Sequence, residues 1–352
     1  SVMIFSTSCL FTCLHLIESF HPYRHRIRQI KLNRIDTVKI LGFDIGGTKC
    51  AVITALWDGE EIKLLKKDKC RTDHGLTPIQ MIEKLIAMAD VILDGKPDTV
   101  GISCGGPLDS EKGIIMSPPN LPGWDNVEIV KQIETHYGVP VHLQNDANSC
   151  AVAEWKLGAG RGSRNVIFMT FGTGLGAGLI LDGKLYTGTN DNAGELGHIR
   201  LDKHGPVGYG RAGSFEGFCS GGGLAQLGYV KALEKAQNGK YPMYFNRGMS
   251  AADVTAEMVA DAADAGDKTA LEVYRISGEY LGRGLSILID LLNPEVIVIG
   301  SIFARSRNLL WEPAKKVIEK EALSLSANCC RVVPSELQEQ IGDYAAMAAA
   351  LL

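Results

Sequence analysis

VKILGFDIGGTKCAVITAL, residues 38–56, places two apolar stretches, Val38 to Asp44 and Cys50 to Leu56, on either side of the turn Ile45-Gly46-Gly47-Thr48-Lys49. Short apolar runs bounded by glycine punctuation predict a β-hairpin. The unit returns downstream: Asn165 to Thr170 is an apolar strand, Phe171 to Gly176 a glycine turn, and Ala177 to Leu181 a second strand. A strand-turn-strand unit used twice, with no short-period repeat, predicts two related lobes rather than a solenoid.

The segments between and beyond the hairpins fit that plan. A helix is expected over Pro78 to Leu93, with Thr77 as its N-cap and Pro78 at the first helical position. Thr99 to Ser103 reads as a strand and Val127 to Tyr137 as a helix; Pro140 to Leu143 is a short strand running into Asn145-Asp146, and Ala147 to Leu157 has helical spacing. Helices are expected over Ala251 to Ala265 and Thr269 to Leu292, the second stopped by Asn293-Pro294, followed by a strand at Glu295 to Ile299 and an Ala-rich helix from about Asp343.

A chain of 352 residues exceeds what one hydrophobic core organises, so two domains around a cleft are the expectation. An apolar share of 45% with 22% charged residues excludes wholesale disorder, collagen and a membrane-embedded chain. The formal charge of -4 gives no basic footprint for nucleic acid. A small-molecule substrate, no nucleic acid and no membrane partner are expected. Nine cysteines without C-x-x-C pairs read as reduced thiols of a cytoplasmic protein.

Residues 1–37 differ from the rest. Val2 to Ile17 is a mostly apolar run of 16 residues, short of the ~20 a membrane span needs, and the basic stretch HPYRHRIRQIKLNR follows it. No basic region precedes the run and no A-x-A site follows, so it does not read as a signal peptide. Residues 1–37 are expected to be a disordered or non-native extension.

Glycine lets backbone N–H groups approach phosphate oxygens without an intervening Cβ. Asp44, Gly46, Gly47, Thr48 and Lys49 supply one such turn, with Asp44 placed to hold a Mg²⁺-bound water; Gly172, Thr173 and Gly174 supply another. Alone, the first turn reads equally well as an ordinary tight hairpin. Two such turns, each after an apolar strand, suggest a clamp on a polyphosphate. No G-x-x-x-x-G-K-[ST] motif is present, and the glycines from Gly172 to Gly178 lead into a strand instead of the helix that a dinucleotide fingerprint opens.

From Val38 onward the chain resembles the ROK family (repressors, open reading frames and kinases). The segments that carry the resemblance are GFDIGGTK (42–49), SPPNLPGW (117–124), QNDANSCAVAE (144–154) and FGTGLGAGLILDGKLYTGTNDNAGELGHI (171–199), in the family's order and spacing. The resemblance implies an α/β actin-like ATPase (ribonuclease H-like) fold with two lobes and an interdomain cleft. The N-terminal lobe would span residues 38–146, rejoined by a C-terminal helix within 336–352, and the C-terminal lobe residues 147–335. It implies an ATP-dependent kinase acting on glucose or a related hexose or N-acylhexosamine, with ATP and Mg²⁺ as cofactors and a homodimeric assembly. Asp146 would be the catalytic base. Gly106, Asn120, Asn145, Glu195, His198 and Glu216 would line the sugar pocket, and Gly300 would meet the nucleotide. A helix N-terminus should lower the pKa of Asp146. Read without the resemblance, Asp146 is a plain N-cap.

The departures from the family pattern are as informative. Many members follow this histidine with C-x-C-G-x-x-G-C-x-E, a structural zinc motif. Here the stretch is VGYGRAGSFE, so Val207, Tyr209 and Ser214 stand where the thiols would be, and no zinc is expected. Gly105-Gly106-Pro107-Leu108-Asp109 replaces P-G-P-V-D, and Gly300-Ser301-Ile302 replaces a glycine-rich turn. The family also contains sugar-responsive transcriptional repressors, which carry an N-terminal winged helix-turn-helix of about 50 residues or more. Only 37 residues precede the first strand here.

Overall fold

The computed structural model describes residues 37–352, so the extension expected over 1–37 lies, Thr37 apart, outside the described residues. The opening hairpin forms as expected, from β1 (Val38–Ile45) and β2 (Lys49–Trp57), and Gly46 N donates to Lys49 O at 3.1 Å to close the turn. An antiparallel strand, β3 (Ile62–Arg71), then adds to β2. It is followed by α1 (Pro78–Ile92), β4 (Thr99–Cys104), α2 (Ile129–Tyr137), β5 (Val141–Asn145) and α3 (Asp146–Leu157). Thr77 caps α1 through a reciprocal capping box, Gln80 N to Thr77 Oγ1 at 3.3 Å and Thr77 N to Gln80 Oε1 at 3.0 Å.

The second half repeats the plan. It contains β6 (Val166–Phe171), β7 (Leu175–Leu181), β8 (Lys184–Tyr186), α4 (Gly221–Ala236), α5 (Ala256–Asp264), α6 (Lys268–Leu292), β9 (Val296–Ile299), α7 (Arg307–Glu321), β10 (Arg331–Pro334) and α8 (Ile341–Ala349). The first sheet runs β3-β2-β1-β4-β5 and the second β8-β7-β6-β9-β10. In each, the hairpin strands are antiparallel and the two later strands parallel. Two sheets of one topology, with helices on their faces, are the two lobes of the actin-like α/β fold.

Four of these elements escaped the sequence reading, α7 among them. β3 carries Lys63, Lys66, Lys67 and Lys69 and lies at a sheet edge, where lysine guards against stray pairing. β10 is a four-residue edge strand. α4 opens with Gly221-Gly222-Gly223, poor helix formers that the packing demands: a Cβ on Gly223 would lie 1.9 Å from Gly217 O. The helix expected over Ala251 to Ala265 is divided, because Ser250 and Asp253 close a capping box around Ala251–Asp253 and Thr255 then caps α5 by accepting from Met258 N. Among the described residues, no helix is long and apolar enough to cross a membrane.

Side-chain alternation gives each face of the first sheet its own core. Leu41, Phe43 and Ile102 pack under α1 and α2 with Met81, Ile82, Leu85 and Ile133. Ile40, Ala51 and Ile53 face Ala346 and Met347 of α8. Gly42 and Gly101 are register partners on β1 and β4 and leave a bare patch under that helix. A Cβ on Gly101 would sit 2.1 Å from Ala346 O and 2.6 Å from Ala350 N. In the second sheet Gly178 of β7 admits α3 the same way, a Cβ there lying 2.6 Å from Ala147 O. Glu154 of α3, fully buried, takes up three donors, Ser335 Oγ at 2.5 Å, Leu337 N at 3.0 Å and Ala159 N at 2.8 Å. It ties α3 to the segment that leads into α8.

The bare patch makes a direct expectation about stability. Gly101→Ala pushes a methyl group into helix backbone that cannot move aside, and overpacking of this kind costs about 1–3 kcal/mol. Its melting temperature should fall by several degrees, whereas Gly75→Ala, where only the Asp73 side chain lies close, should melt like the wild type. Differential scanning calorimetry of the two variants checks this.

Candidate active site

The start of α3 is where the sequence-named residues gather. Asn145, not Asp146, is the N-cap: its Oδ1 accepts from Ala147 N at 2.9 Å and from Asn148 N at 3.4 Å. Asp146 is the first helical residue and lies open to the cleft. Capping occupies the Asn145 oxygen, which leaves its Nδ2 donors for a ligand, beside the backbone of Gly106.

The carboxyl pKa of Asp146 is raised, which corrects the expectation of a depressed value. Burial against the cleft walls is the largest cause; a hydrogen bond from Ala147 N at 2.7 Å pulls the other way, and the charge of Glu195 pushes upward again. The open cleft face screens part of this, yet desolvation outweighs the helix N-terminus. Asp44, two residues beyond Gly42 on the same face of β1, is pushed from 3.8 to about 6. Burial is the main cause, followed by the charges of Asp343 and Asp146, against the opposing pull of Lys67 and Lys49. Lys67 Nζ donates to Asp343 Oδ2 at 2.8 Å, so β3 and the first turn of α8 are joined at the edge of this acidic cluster.

Two adjoining cavities meet at Asp146. The first, of about 570 Å³, is lined by Gly105, Gly106, Asn120, Asn145, Asp146, Glu195, His198 and Glu216, which brings together every residue expected to face the sugar. The second, of about 510 Å³, is lined by Gly172, Thr173 and Gly174 and shares Asn120, Asn145, Asp146, Glu195 and Glu216 with the first. The first glycine turn reaches the same place through Asn120, since a Cβ on Gly47 would lie 2.4 Å from Asn120 O. Thr48 and Lys49, at its tip, are exposed.

The segment that departs from the zinc motif is held by hydrogen bonds and packing. Ser214 is buried, caps the short helix Phe215–Phe218 by accepting from Gly217 N at 3.0 Å, and donates to Gly208 O at 3.4 Å. Tyr209, in a left-handed conformation with φ 42°, sets its ring edge-on against His198 with centroids 5.0 Å apart. Arg211 Nη1 donates to His198 O at 3.0 Å. Glu216 Oε2 accepts from Leu175 N at 3.0 Å, which binds the segment to the second glycine turn.

Gly300 is buried beneath Phe168, and it is the neighbouring Ser301 that lines a third cavity of about 280 Å³ with Arg305, Ser335 and Glu339. The sequence reading passed over Ser220, Gly221 and Gly222. Gly221 N donates to Gly172 O at 2.8 Å, so the start of α4 abuts the second glycine turn. The triple glycine was the visible signal; what hid it was the absence of a helical period around it.

The ROK family model matches residues 40–352. A glucokinase of Thermotoga maritima is 30% identical over 310 residues, 87% of this chain and 95% of its own. The DNA-binding transcriptional repressor Mlc of Escherichia coli is 28% identical over 246 residues, 69% of this chain and 58% of its own. Among solved structures, a ROK family glucokinase from Streptomyces griseus in complex with glucose and AMPPNP superposes with a TM-score of 0.70 at 28% identity, covering 89% of this chain and 99% of that one. A ROK family transcriptional regulator homologous to Mlc reaches 0.75 at 24% identity, covering 89% and 78%, which is a likeness of fold. A family model spanning both lobes, and a glucokinase relative matched along nearly its whole length, lead to one conclusion: the chain belongs to the ROK family.

Proposed function

We propose that the protein is an ATP-dependent kinase of glucose or a related hexose or N-acylhexosamine, with Asp146 as the catalytic base. The observation that carries this reading is the position of Asp146 in the wall common to both cavities. A sugar in the first cavity would have Glu195, His198, Glu216, Asn120 and the Asn145 amide as partners. These side chains both donate and accept, as hydroxyl recognition requires. A triphosphate in the second would lie on the N–H groups of the Gly172-Thr173-Gly174 turn, near the start of α4. Its nucleoside would extend toward Ser301 and Gly300.

In this reading the Asp146 carboxylate accepts the proton of the attacking sugar hydroxyl, whose oxygen bonds to the γ-phosphorus as the bond to the β–γ bridging oxygen breaks and ADP leaves. The upward shift of its pKa favours the role, since a more basic carboxylate holds the proton better. Asp44, whose neighbours Asp343 and Asp146 leave an excess of negative charge around it, would hold Mg²⁺ through water. The metal would neutralise charge developing on the phosphates. The intact DIGGTK turn and the NDAN start of α3 support the kinase over the regulator reading. The two separate experimentally: ATP consumption over a hexose panel, set beside a DNA shift assay on the same preparation.

Asp146→Asn keeps the size of the side chain and removes proton acceptance, so turnover should fall at least ~100-fold, in line with a lost general base. Sugar affinity should change much less, which calorimetric titration with glucose would show.

Asp44→Asn separates function from stability. Because the folded pKa of Asp44, about 6, lies above its ordinary 3.8, the folded state holds the proton more tightly than the unfolded state. Stability is therefore lost as pH rises from about 4 through about 6, and the loss persists above. An uncharged side chain avoids it, so the variant should gain about 1–3 kcal/mol at pH 7.5 and less at pH 5, while turnover collapses. Thermal melts at the two pH values read this directly; a variant less stable than wild type at pH 7.5 would contradict the charge cluster.

His198→Ala and Glu216→Gln test the segment in which the thiols are replaced. Leaving a hydrogen-bonding group of the sugar unsatisfied costs about 1–3 kcal/mol, so each should raise the sugar KM about tenfold while the ATP KM moves little. Equal movement of both constants would mean that the segment does not face the sugar.

A further inference from the structure

Ser110 and Asp191 stand 81 positions apart and meet between the two lobes. Ser110 N donates to Asp191 Oδ2 at 2.7 Å, and Ser110 Oγ donates to Oδ1 at 3.0 Å. Both carboxylate oxygens are engaged, so the contact fixes orientation as well as distance, and an ionised acceptor makes both bonds strong ones.

Each partner is carried on a stiff mount. Ser110 follows the two-residue ladder of Leu108–Asp109 with Ile114–Ile115. Lys112 braces that turn, its N and Nζ donating to the Asp109 carboxylate at 2.9 and 2.7 Å. Asp191 lies at the tip of a strap whose base is fastened to the second sheet. Ala193 N donates to Thr187 O, and Ala177 N to Gly194 O, both at 3.0 Å. Gly194 has φ +90°, and a Cβ there would lie 2.1 Å from Ala177 O, so the base of the strap has no freedom to shift.

Asp191 itself holds φ 60°, a conformation that residues other than glycine adopt rarely and at a cost. Here that conformation accompanies the carboxylate's reach across to the other lobe. Pro107 and Leu108, just before Ser110, line the first cavity, as do Asp191 itself and Asn192 and Glu195 after it. The clasp therefore joins a wall segment from each lobe at the cavity that Asp146 lines.

We propose that Asp191 is a positioning residue that, by clasping Ser110, holds the sugar cavity closed around its ligand. The identity of that ligand rests on the kinase reading; the clasp does not. Two hydrogen bonds at the boundary between lobes favour the closed arrangement and are few enough to break when ligand enters or product leaves. Sugar affinity then includes the energy of the clasp, because a sugar that binds the closed cavity is bound in proportion to how much of the protein is closed. The nucleotide shares this dependence less: Asp191 and Asn120 also border the second cavity, but the Gly172 to Gly174 turn that would hold the phosphates is built within the second lobe.

Glucose and MgATP are the probes, and Asp191→Asn is the principal variant, because asparagine keeps the volume and tolerates the left-handed backbone. It should raise the glucose KM about five- to tenfold, the effect of losing a charge-assisted contact, and leave the ATP KM within about twofold. Ser110→Ala, which loses the hydroxyl donor and keeps the amide, should raise the glucose KM about threefold, and the double variant should match Asp191→Asn alone, since both changes remove one interaction. A second readout is independent of turnover: hydrogen exchange of the Ser110 amide should be slow in the wild type, slower with glucose bound, and fast in Asp191→Asn in both states. Wild-type protein that phosphorylates no glucose defeats the kinase reading on that sugar and leaves the exchange result to decide the clasp. An unchanged glucose KM in Asp191→Asn, equal shifts in both constants, additive effects in the double variant, or a freely exchanging Ser110 amide in the wild type overturns the proposal.

Discussion

The contact on which the rest of the structure depends is that of two helix backbones lying directly on two sheets. α8 rests on the glycine pair Gly42 and Gly101, and α3 rests on Gly178. A side chain at any of the three would hold the helix off the sheet by the width of a methyl group or more. The two helices also pack on one another, since Ala345 and Ala348 of α8 share a core with Cys150, Ala151 and Ala153 of α3. The lobes are thus joined through a thin layer of small residues, and the position of each helix start is set by backbone contact. α3 begins at Asp146, and Gly342 at the start of α8 approaches Asp44. Helix N-termini favour negative charge, so the same packing that joins the lobes directs two of them into the cleft where phosphates are proposed to lie.

That arrangement works against the stability of the free protein. Asp44, Asp146 and Asp343 converge on one region, Lys67 and Lys49 offset only part of their charge, and burial raises the pKa of the first two. A sequence selected for stability alone would not place them so. Conflict of this kind between local electrostatics and fold is the mark of a functional site, and a cation with a polyphosphate would relieve it. Glu154 shows the contrast a few residues along the same helix: its carboxylate is more deeply buried than that of Asp146 but meets three donors, and its work is to tie α3 to the chain leading into α8.

Much of the fold was legible in the sequence, because the hairpins announce themselves through apolar runs broken by glycine and because the cap at Thr77 has a chemical signature. The same reasoning missed β3 and α4, since an edge strand is protected by lysines that erase the apolar period, and α4 begins with glycines chosen for close approach instead of helix propensity. The residues expected around the sugar were legible as neighbours, since all of them line the first cavity. Their division of labour was not. That Asn145 rather than Asp146 caps α3 depends on which side chain turns back to the helix, and the raised pKa of Asp146 depends on walls contributed by residues distant in sequence, from Asn120 before it to Glu216 after it. The contact of Ser110 with Asp191 leaves no local trace at all, because neither residue has a periodic or capping role in its own segment.

The geometry also bears on why the sugar side and the phosphate side should act as one unit. Asn120, expected at the sugar, has its backbone against Gly47 of the first glycine turn. Glu216, expected at the sugar, accepts from Leu175 N, next to Gly174 of the second. Each turn is therefore in contact with a residue of the other subsite, and in each case the contact involves main-chain atoms that do not change rotamer. Phosphoryl transfer depends chiefly on alignment of the attacking oxygen with the phosphorus, and a misplacement of about 1 Å can cost 100-fold. The first coupling is backbone on backbone and the second a carboxylate on a main-chain N–H, and together they tie both subsites to one alignment. Ser214 and Tyr209 extend the principle to the segment where the thiols are replaced: a buried cap and an aromatic edge hold His198 and Glu216 by packing and hydrogen bonds. The segment needs a fixed path, and hydrogen bonds to main-chain groups at Gly208, Gly217, Leu175 and His198 supply one.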